Sequence, residues 1–357
     1  MIFKVSMAHP AAVEKKVVAP DGLSELRQDV VSGDWVVIAT GRAKRPHEFL
    51  SAHREAFVQP EDACPFDNLH EDALLVYPAP AERENNQWWV KVIPNKYPAF
   101  SAGACPAFEE RGPYQWTEGI GFHEVVVTRD HERSFARMSV GEVDRVLAAY
   151  QERYRAMAND ECVAYVSIFH NHGRLAGATI SHPHSQIIAI PVIPPDVGRS
   201  IKGSEEYARR HDSCIHCALV AYELEARERI VYENDDCAVL APFASKTAFE
   251  LRVFPKRHSA RYEQIAGEER RGLADAIRSA LAKLHRGLEN PDYNMFLHTA
   301  PVRPAKNFMA DNFDHYHWHF EILPKTSIWA GFEIGTGMEI SAIAPENAAE
   351  FLRSITL

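Results

Sequence analysis

Two short stretches carry paired histidines on what reads as a strand: "HPHSQ" at 182–186 and "HWHFE" at 317–321. Side chains at i and i+2 of a strand point to one side. His182, His184 and Gln186 therefore share a face, as do His317, His319 and Glu321. Pro183 has no N–H to give a ladder, which places its strand at a sheet edge or beside a distortion. Three chemistries suit such a pair: two buried, hydrogen-bonded rings, two metal ligands, or one ligand and one catalyst. The cysteines help to choose. Cys214 and Cys217 form a C-x-x-C, a common half of a zinc site, and His258 and His317 would complete a tetrahedral set. The matching first-half set is Cys64, Asp67, His131 and His182, with aspartate in place of the second cysteine. A carboxylate also binds zinc. This set either holds a second metal or has lost it, with Asp67 binding a side chain instead.

With His182 and His317 structural, His184 and His319 are left facing the cleft. A neutral imidazole, with a reference pKa of ~6.5, is a good nucleophile toward phosphorus at neutral pH. It needs an acceptor on its other ring nitrogen and donors for the phosphate oxygens. Gln186 can donate; Glu321, in the equivalent place, would repel a phosphate. The first half thus keeps the chemistry, and the second serves scaffold and substrate contacts.

Such residues need a frame, and the chain repeats one. The first half runs "ACPFD", "GFHEVVVTRDHERS", a helix, "VAYVSIFHN" and "HPHSQIIAIP". The second runs "SCIHCALV", "FELRVFPKRH", a helix, "DYNMFLHTA" and "HWHFEILP". Ser139 and Glu142 make a capping box, and Val143, Val146, Leu147, Tyr150 and Tyr154 fall on one helical face. Leu273, Ile277, Leu281, Leu284 and Leu288 do the same in the second half. The expected class is α+β, with two duplicated histidine-triad-like halves, each a mainly antiparallel sheet with a packed helix. They span 1–195 and 196–357, joined near the prolines of "PVIPPDVGRS". Trp318 and Trp329 near these segments read as packing aromatics.

Composition bounds the function. The chain has 357 residues, 46% hydrophobic and 25% charged, enough for two ordinary cores. A net charge of −10 argues against general nucleic-acid binding, which needs a basic surface. No apolar run approaches the roughly 20 residues of a membrane span, and the first residues do not read as a signal peptide. The expected location is cytoplasmic. There the six cysteines read as ligands or buried thiols rather than disulfides.

The chain resembles the galactose-1-phosphate uridylyltransferase family of the histidine-triad superfamily along nearly all its length. "GDWVVIATGRAKRP", "VIPNKYPAF", "HPHSQ", "FLHTAP", "HWHFEILP" and "IWAGFEIGTG" carry the resemblance in this order. It implies that His184 becomes covalently nucleotidylated. Gln186 and Asn171 would bind the transferred phosphate, Arg42 and Arg45 would line the diphosphate pocket, and Asn95 and Ala99 would lie around the nucleoside. Phe332 and Glu333 match sugar-contacting positions that a partner subunit supplies in a homodimer. The implied reaction moves UMP between UDP-glucose and a hexose 1-phosphate such as galactose 1-phosphate. The alternatives are an ADP-sugar adenylyltransferase or phosphorylase, a nucleotide phosphoramidate hydrolase, and a zinc-stabilised nucleotide-binding module with no catalysis. "CPFD" departs from the family's first-half C-x-x-C. Members lacking the second-half C-x-x-C place iron or zinc on three histidines and a glutamate, here His298, His317 and His319. Cys214, Cys217 and His258 favour the sulfur-rich site instead.

Overall fold

The computed structural model describes residues 23–39, 57–69, 72–81, 87–310 and 312–357. Strands β1 (Glu25–Gln28) and β2 (Trp35–Ile38) come first, then β3 (Leu75–Pro78) and β4 (Trp88–Pro94). A short hairpin, β5 (Glu109–Arg111) and β6 (Tyr114–Trp116), precedes β7 (Phe122–Thr128). Helix α1 (Val140–Ala158), β8 (Tyr165–His172) and β9 (His184–Ile190) complete the first half. The second half opens with α2 (Pro195–His211) and α3 (Ile215–Ala226), then β10 (Ile230–Glu233), β11 (Cys237–Leu240) and β12 (Leu251–Pro255). It continues through α4 (Gly267–Gly287), β13 (Tyr293–His298) and β14 (His319–Pro324). Helix α5 (Gly331–Thr336), β15 (Ile340–Ser341) and α6 (Pro345–Ser354) end the described chain.

The α+β class is as expected, but the two halves do not form two sheets. They share one sheet of ten strands, ordered β10-β11-β12-β14-β13-β8-β9-β7-β4-β3. The order reads alike from either end outward to the middle, as a duplication predicts. The joint is the antiparallel pair β8–β13, with Asn171 opposite Asn294 and Phe169 opposite Phe296. Pairing two equivalent strands leaves neither with an open edge.

Both long helices cover the same side. Ser139 caps α1 through the expected box with Glu142. The five residues of its apolar stripe, Val143 to Tyr154, are buried with Trp89 and Val126 in one core. Leu273, Ile277, Leu281, Leu284 and Leu288 of the second half join that core, and α1 touches α4 across it. Each fully buried Leu or Ile of this stripe contributes about 1.5–3 kcal/mol relative to exposure. Strands β1, β2 and β15 make a separate three-stranded sheet. It docks on the second half, where Arg27 pairs with Glu346 at 2.9 Å and Val36 and Ile38 pack on Ala244.

Two expectations need correction. Strand β9 is not an edge: it lies between β7 and β8. Pro183 is compatible with this because the strand starts at His184, and the Pro183 carbonyl accepts from Thr128 Oγ1 at 3.2 Å. The cysteines are not all thiols. Cys105 and Cys162 form a disulfide, joining the loop before β5 to the turn after α1, while Cys64, Cys214, Cys217 and Cys237 are free.

Candidate active site and metal clusters

The side of β9 turned away from α1 carries the candidate catalytic residues. His184 and Gln186 are half-buried and alternate with the buried Ser185 and Ile187. The His184 Nδ1–H donates to the His182 carbonyl at 3.0 Å. That bond fixes the ring's tautomer and directs Nε2 away from the backbone, and no hydrogen-bond partner reaches Nε2 among the described residues. Burial pushes the His184 pKa down, with His182 adding to it against the backbone bond. A neutral ring with a fixed proton and an available lone pair is what a nucleophilic imidazole requires. The acceptor that the sequence left unnamed is thus the backbone two residues upstream.

Gln186 and Asn171 flank this ring. Gln186 stands opposite Phe169 on β8, and Asn171 lies two residues further on the same face. Asn95 and Ala99 belong to the loop after β4. Both meet His123, a β7 residue that the sequence reading missed. The Ala99 N–H donates to His123 Nδ1 at 3.0 Å, and Asn95 Nδ2 is 3.0 Å from Nε2. His123 Nε2 also lies 2.7 Å from Gln186 Oε1. The signal was a lone polar ring in the otherwise apolar "GFHEVVV". Arg42 and Arg45 lie outside the described residues. Phe332 and Glu333 sit on α5; Phe332 is exposed, with Ile328, Trp329 and Ile334 around it.

The second-half counterpart is not a cleft. His319 repeats the backbone bond, its Nδ1 donating to the His317 carbonyl at 3.1 Å. Yet His319 is buried, stacked on Phe254 and His298, so the expectation that it faces an open cleft fails. Glu321 is occupied: Arg252 reaches it at 3.0 Å and also reaches Asp29 at 3.0 Å and Glu250 at 3.4 Å. An ion network fills the space where the first half leaves room. Trp318 packs edge-on against Tyr262, as expected of a core aromatic.

Two clusters sit behind the histidine pairs. Cys214, Cys217, His258 and His317 bring their donor atoms within 4.8 Å of one another, and so do Cys64, Asp67, His131 and His182. In both, the imidazoles point Nδ1 inward and hold Nε2 on a backbone carbonyl. His317 uses Pro255 at 3.0 Å, His258 Asp314 at 2.9 Å, His182 Thr128 at 2.6 Å and His131 Gln59 at 2.7 Å. Such outer bonds orient metal-ligating histidines. Zinc at ~2.3 Å from sulfur and ~2.0 Å from nitrogen makes tetrahedral S···N edges of roughly 3.5 Å. Cys217 Sγ lies 3.4 Å from both His258 Nδ1 and His317 Nδ1, so the second-half set fits zinc. The first-half set fits less well. Cys64 Sγ is 3.5 Å from His182 Nδ1, but Asp67 Oδ2 is only 2.5 Å from His131 Nδ1, a hydrogen bond rather than an edge around an ion. Burial works against the Asp67 charge, but hydrogen bonds from Cys64 and His131 hold its pKa below the usual value. A third group, His298, His319 and Glu321, also converges. Glu321 there is shared with Arg252, which competes with any cation.

Comparison with known proteins agrees with this geometry. Residues 16–194 match the family "Galactose-1-phosphate uridyl transferase, N-terminal domain", and residues 200–357 match its C-terminal domain. The ADP-glucose phosphorylase of Arabidopsis thaliana is 31% identical over 338 residues, 93% of each chain. The galactose-1-phosphate uridylyltransferase of Thermotoga maritima is 28% identical over 346 residues, 93% of this chain and 98% of its own. The crystal structure of the Arabidopsis thaliana phosphorylase with bound ADP-glucose superposes with a TM-score of 0.76 at 28% identity, covering 94% of this chain and 100% of that one. A solved uridylyltransferase gives 0.69 at 28% identity, covering 93% and 98%. With the two domains matched over residues 16–194 and 200–357, the chain belongs to the galactose-1-phosphate uridyl transferase family.

Proposed function

We propose that the protein exchanges a UMP group between UDP-glucose and a hexose 1-phosphate, galactose 1-phosphate in the first instance, by double displacement on His184. The observation that carries this reading is the His184 ring itself, with Nδ1 held by the His182 carbonyl and Nε2 available beside two amides. His184 Nε2 attacks the α-phosphorus of the nucleotide-sugar. The bond from that phosphorus to the bridging oxygen breaks, and glucose 1-phosphate leaves with the electron pair. A second sugar 1-phosphate then attacks the nucleotidyl-histidine, and the imidazole leaves. The dianionic acceptor needs no general base. Gln186 and Asn171 donate to the non-bridging oxygens through both steps, and Arg42 and Arg45 offset the diphosphate charge.

One observation favours a second reading: the first-named relative, at 31% identity, is an ADP-glucose phosphorylase. In that version the nucleotide is ADP-glucose and inorganic phosphate takes the nucleotidyl group. Isotope exchange of labelled glucose 1-phosphate into UDP-glucose and into ADP-glucose decides between them. Exchange into UDP-glucose, with galactose 1-phosphate accepted in place of phosphate, supports the uridylyl reading. Exchange into ADP-glucose alone overturns it, and no exchange into either removes transfer altogether.

The metal reading is one structural zinc on Cys214, Cys217, His258 and His317, with all four positions filled by protein. It ties α3 to β12 and β14, and so supports the sheet rather than the reaction. In the first half the Asp67–His131 pair closes the cluster, and iron is the remaining alternative at the histidine-rich group. The working unit is read as a homodimer. Support comes from the exposed Ile328, Trp329, Phe332 and Ile334, an apolar group beside Glu333 that a second copy would cover.

A further inference from the structure

Resting on the reading of His184 as the nucleotidyl acceptor, we propose that His123 and Asn294 are positioning residues: they hold the amides of Gln186 and Asn171 with their N–H groups turned toward the substrate phosphate. An amide side chain can present either its oxygen or its nitrogen to a ligand. Only the nitrogen helps an anion, so something must fix which way each amide faces.

For Gln186 the constraint starts at a backbone group. The Ala99 N–H can only donate, and it points at His123 Nδ1 at 3.0 Å. Nδ1 is therefore the accepting nitrogen, and the ring proton sits on Nε2. Nε2–H lies 2.7 Å from Gln186 Oε1 and donates to it. Gln186 Oε1 is thereby occupied, and its NH2 is the group left for the cleft. Asn95 Oδ1 accepts from the Tyr97 N–H at 2.9 Å, so Asn95 Nδ2, 3.0 Å from the same protonated Nε2, faces it donor to donor and makes no hydrogen bond there; the nearer Gln186 Oε1 takes the proton. The geometry is built into the sheet. On β7, Val125 stands opposite Gln186 and His123 opposite Ile188, so His123 is the diagonal neighbour of Gln186 on one face. That spacing is within reach of long side chains.

Asn171 is held from the other side, by Asn294 of the other half. The Ala176 carbonyl can only accept, and Asn294 Nδ2 donates to it at 2.8 Å. The second hydrogen of Asn294 Nδ2 donates to Asn171 Oδ1 at 2.8 Å. Asn171 Oδ1 is thus occupied and its NH2 is left for the substrate. Asn294 stands directly opposite Asn171 in the pair that joins the halves. The second half, where the Arg252 ion-pair network occupies the equivalent place, therefore serves the first half's chemistry through one amide.

The test measures the single-turnover rate of His184 labelling in the full chain, using whichever of UDP-glucose or ADP-glucose labels the unmodified protein, together with the affinity for that nucleotide-sugar. His123→Asn keeps an acceptor near the Nδ1 position but loses the donor to Gln186; His123→Gln keeps the donor. Asn294→Leu removes the donor to Asn171. Losing one correctly aimed bond to a charged group is worth roughly a 10- to 100-fold slower labelling. The expected result is that His123→Asn slows labelling about as much as Gln186→Ala and adds little in the Gln186→Ala background. His123→Gln should recover most of the rate. Asn294→Leu should behave likewise with Asn171→Ala. Losses that multiply in the double variants, or a folded His123→Gln as slow as His123→Asn, would overturn the proposal. Unfolding of both His123 variants would make the residue structural and overturn it as well. If the unmodified protein is never labelled, the reading of His184 fails first.

Discussion

Arg252 offers a quantitative test of how the two halves diverged. It is 5% exposed and contacts three buried acids: Asp29 at 3.0 Å, Glu321 at 3.0 Å and Glu250 at 3.4 Å. Burial pushes the Glu250 pKa up to about 7, with Arg252 opposing and Glu321 adding to the rise. Burial also acts against the Asp29 charge, but Arg252 and the Ser32 and Val31 N–H groups hold its pKa below the ordinary value. Arg252→Leu leaves this set without its guanidinium. Removing one partner of a buried ion network costs about 3–5 kcal/mol. At roughly 2–4 °C per kcal/mol for large domains, the melting temperature should fall on the order of 10 °C. The loss should also depend on pH. A carboxyl whose folded pKa is raised binds more protons folded than unfolded between its two pKa values, so stability drops as pH climbs through that window. Without Arg252 the Asp29 and Glu250 pKa values both rise. The stability deficit should therefore be smaller at pH 5 than at pH 8, read by thermal unfolding at each pH. A variant melting within about 2 °C of the unmodified protein, with no pH dependence of the difference, would refute the claim that this pocket is closed by a network centred on Arg252.

Elemental analysis of purified protein should find about one zinc per chain, and a Cys214→Ser/Cys217→Ser variant should lose it and melt lower; unchanged zinc would remove the assignment. Arg42→Ala or Arg45→Ala should weaken nucleotide-sugar use by about 1.5–3 kcal/mol in kcat/KM while leaving the melting curve in place. Normal turnover in both would put those arginines outside the pocket. Phe332→Asp together with Ile334→Asp should shift the light-scattering mass from dimer toward monomer and lower transfer; an unchanged mass would free that surface of the role.

Much of the frame was legible because it rests on local periodicity. The Ser139–Glu142 box and the stripes from Val143 and Leu273 emerge as buried helix faces, since a 3.6-residue repeat of large apolar side chains has few other solutions. That the Cys64, Asp67, His131, His182 set and the Cys214, Cys217, His258, His317 set would each converge was legible from type and order, because a duplicated half repeats them at matching places. The joint between halves was not. The register of Asn171 against Asn294 is a contact between residues 123 apart in the chain, and nothing local encodes it. Arg252 was missed for a related reason. In "FELRVFPK" it reads as the solvated side of a strand, and the acid that buries it, Asp29, arrives from the separate small sheet. His123 was hidden differently: its partners, Gln186 and the Ala99 N–H, come from other strands and loops, so its own segment reads as plain strand. Pro183 misled because proline in a strand signals an edge, whereas here it stops just before a central one.

The central claim is that His184 carries the nucleotidyl group. It is tested by incubating the protein with UDP-glucose or ADP-glucose labelled in the α-phosphate, with no acceptor present, and mapping the label by mass spectrometry. The account predicts an adduct at His184 that is acid-labile and base-stable, as a phosphoramidate is, and that is discharged by added sugar 1-phosphate. His184→Gly should form none while keeping its fold and zinc. Label at His319, or transfer that proceeds only when both substrates are bound together and leaves no covalent intermediate, would contradict it.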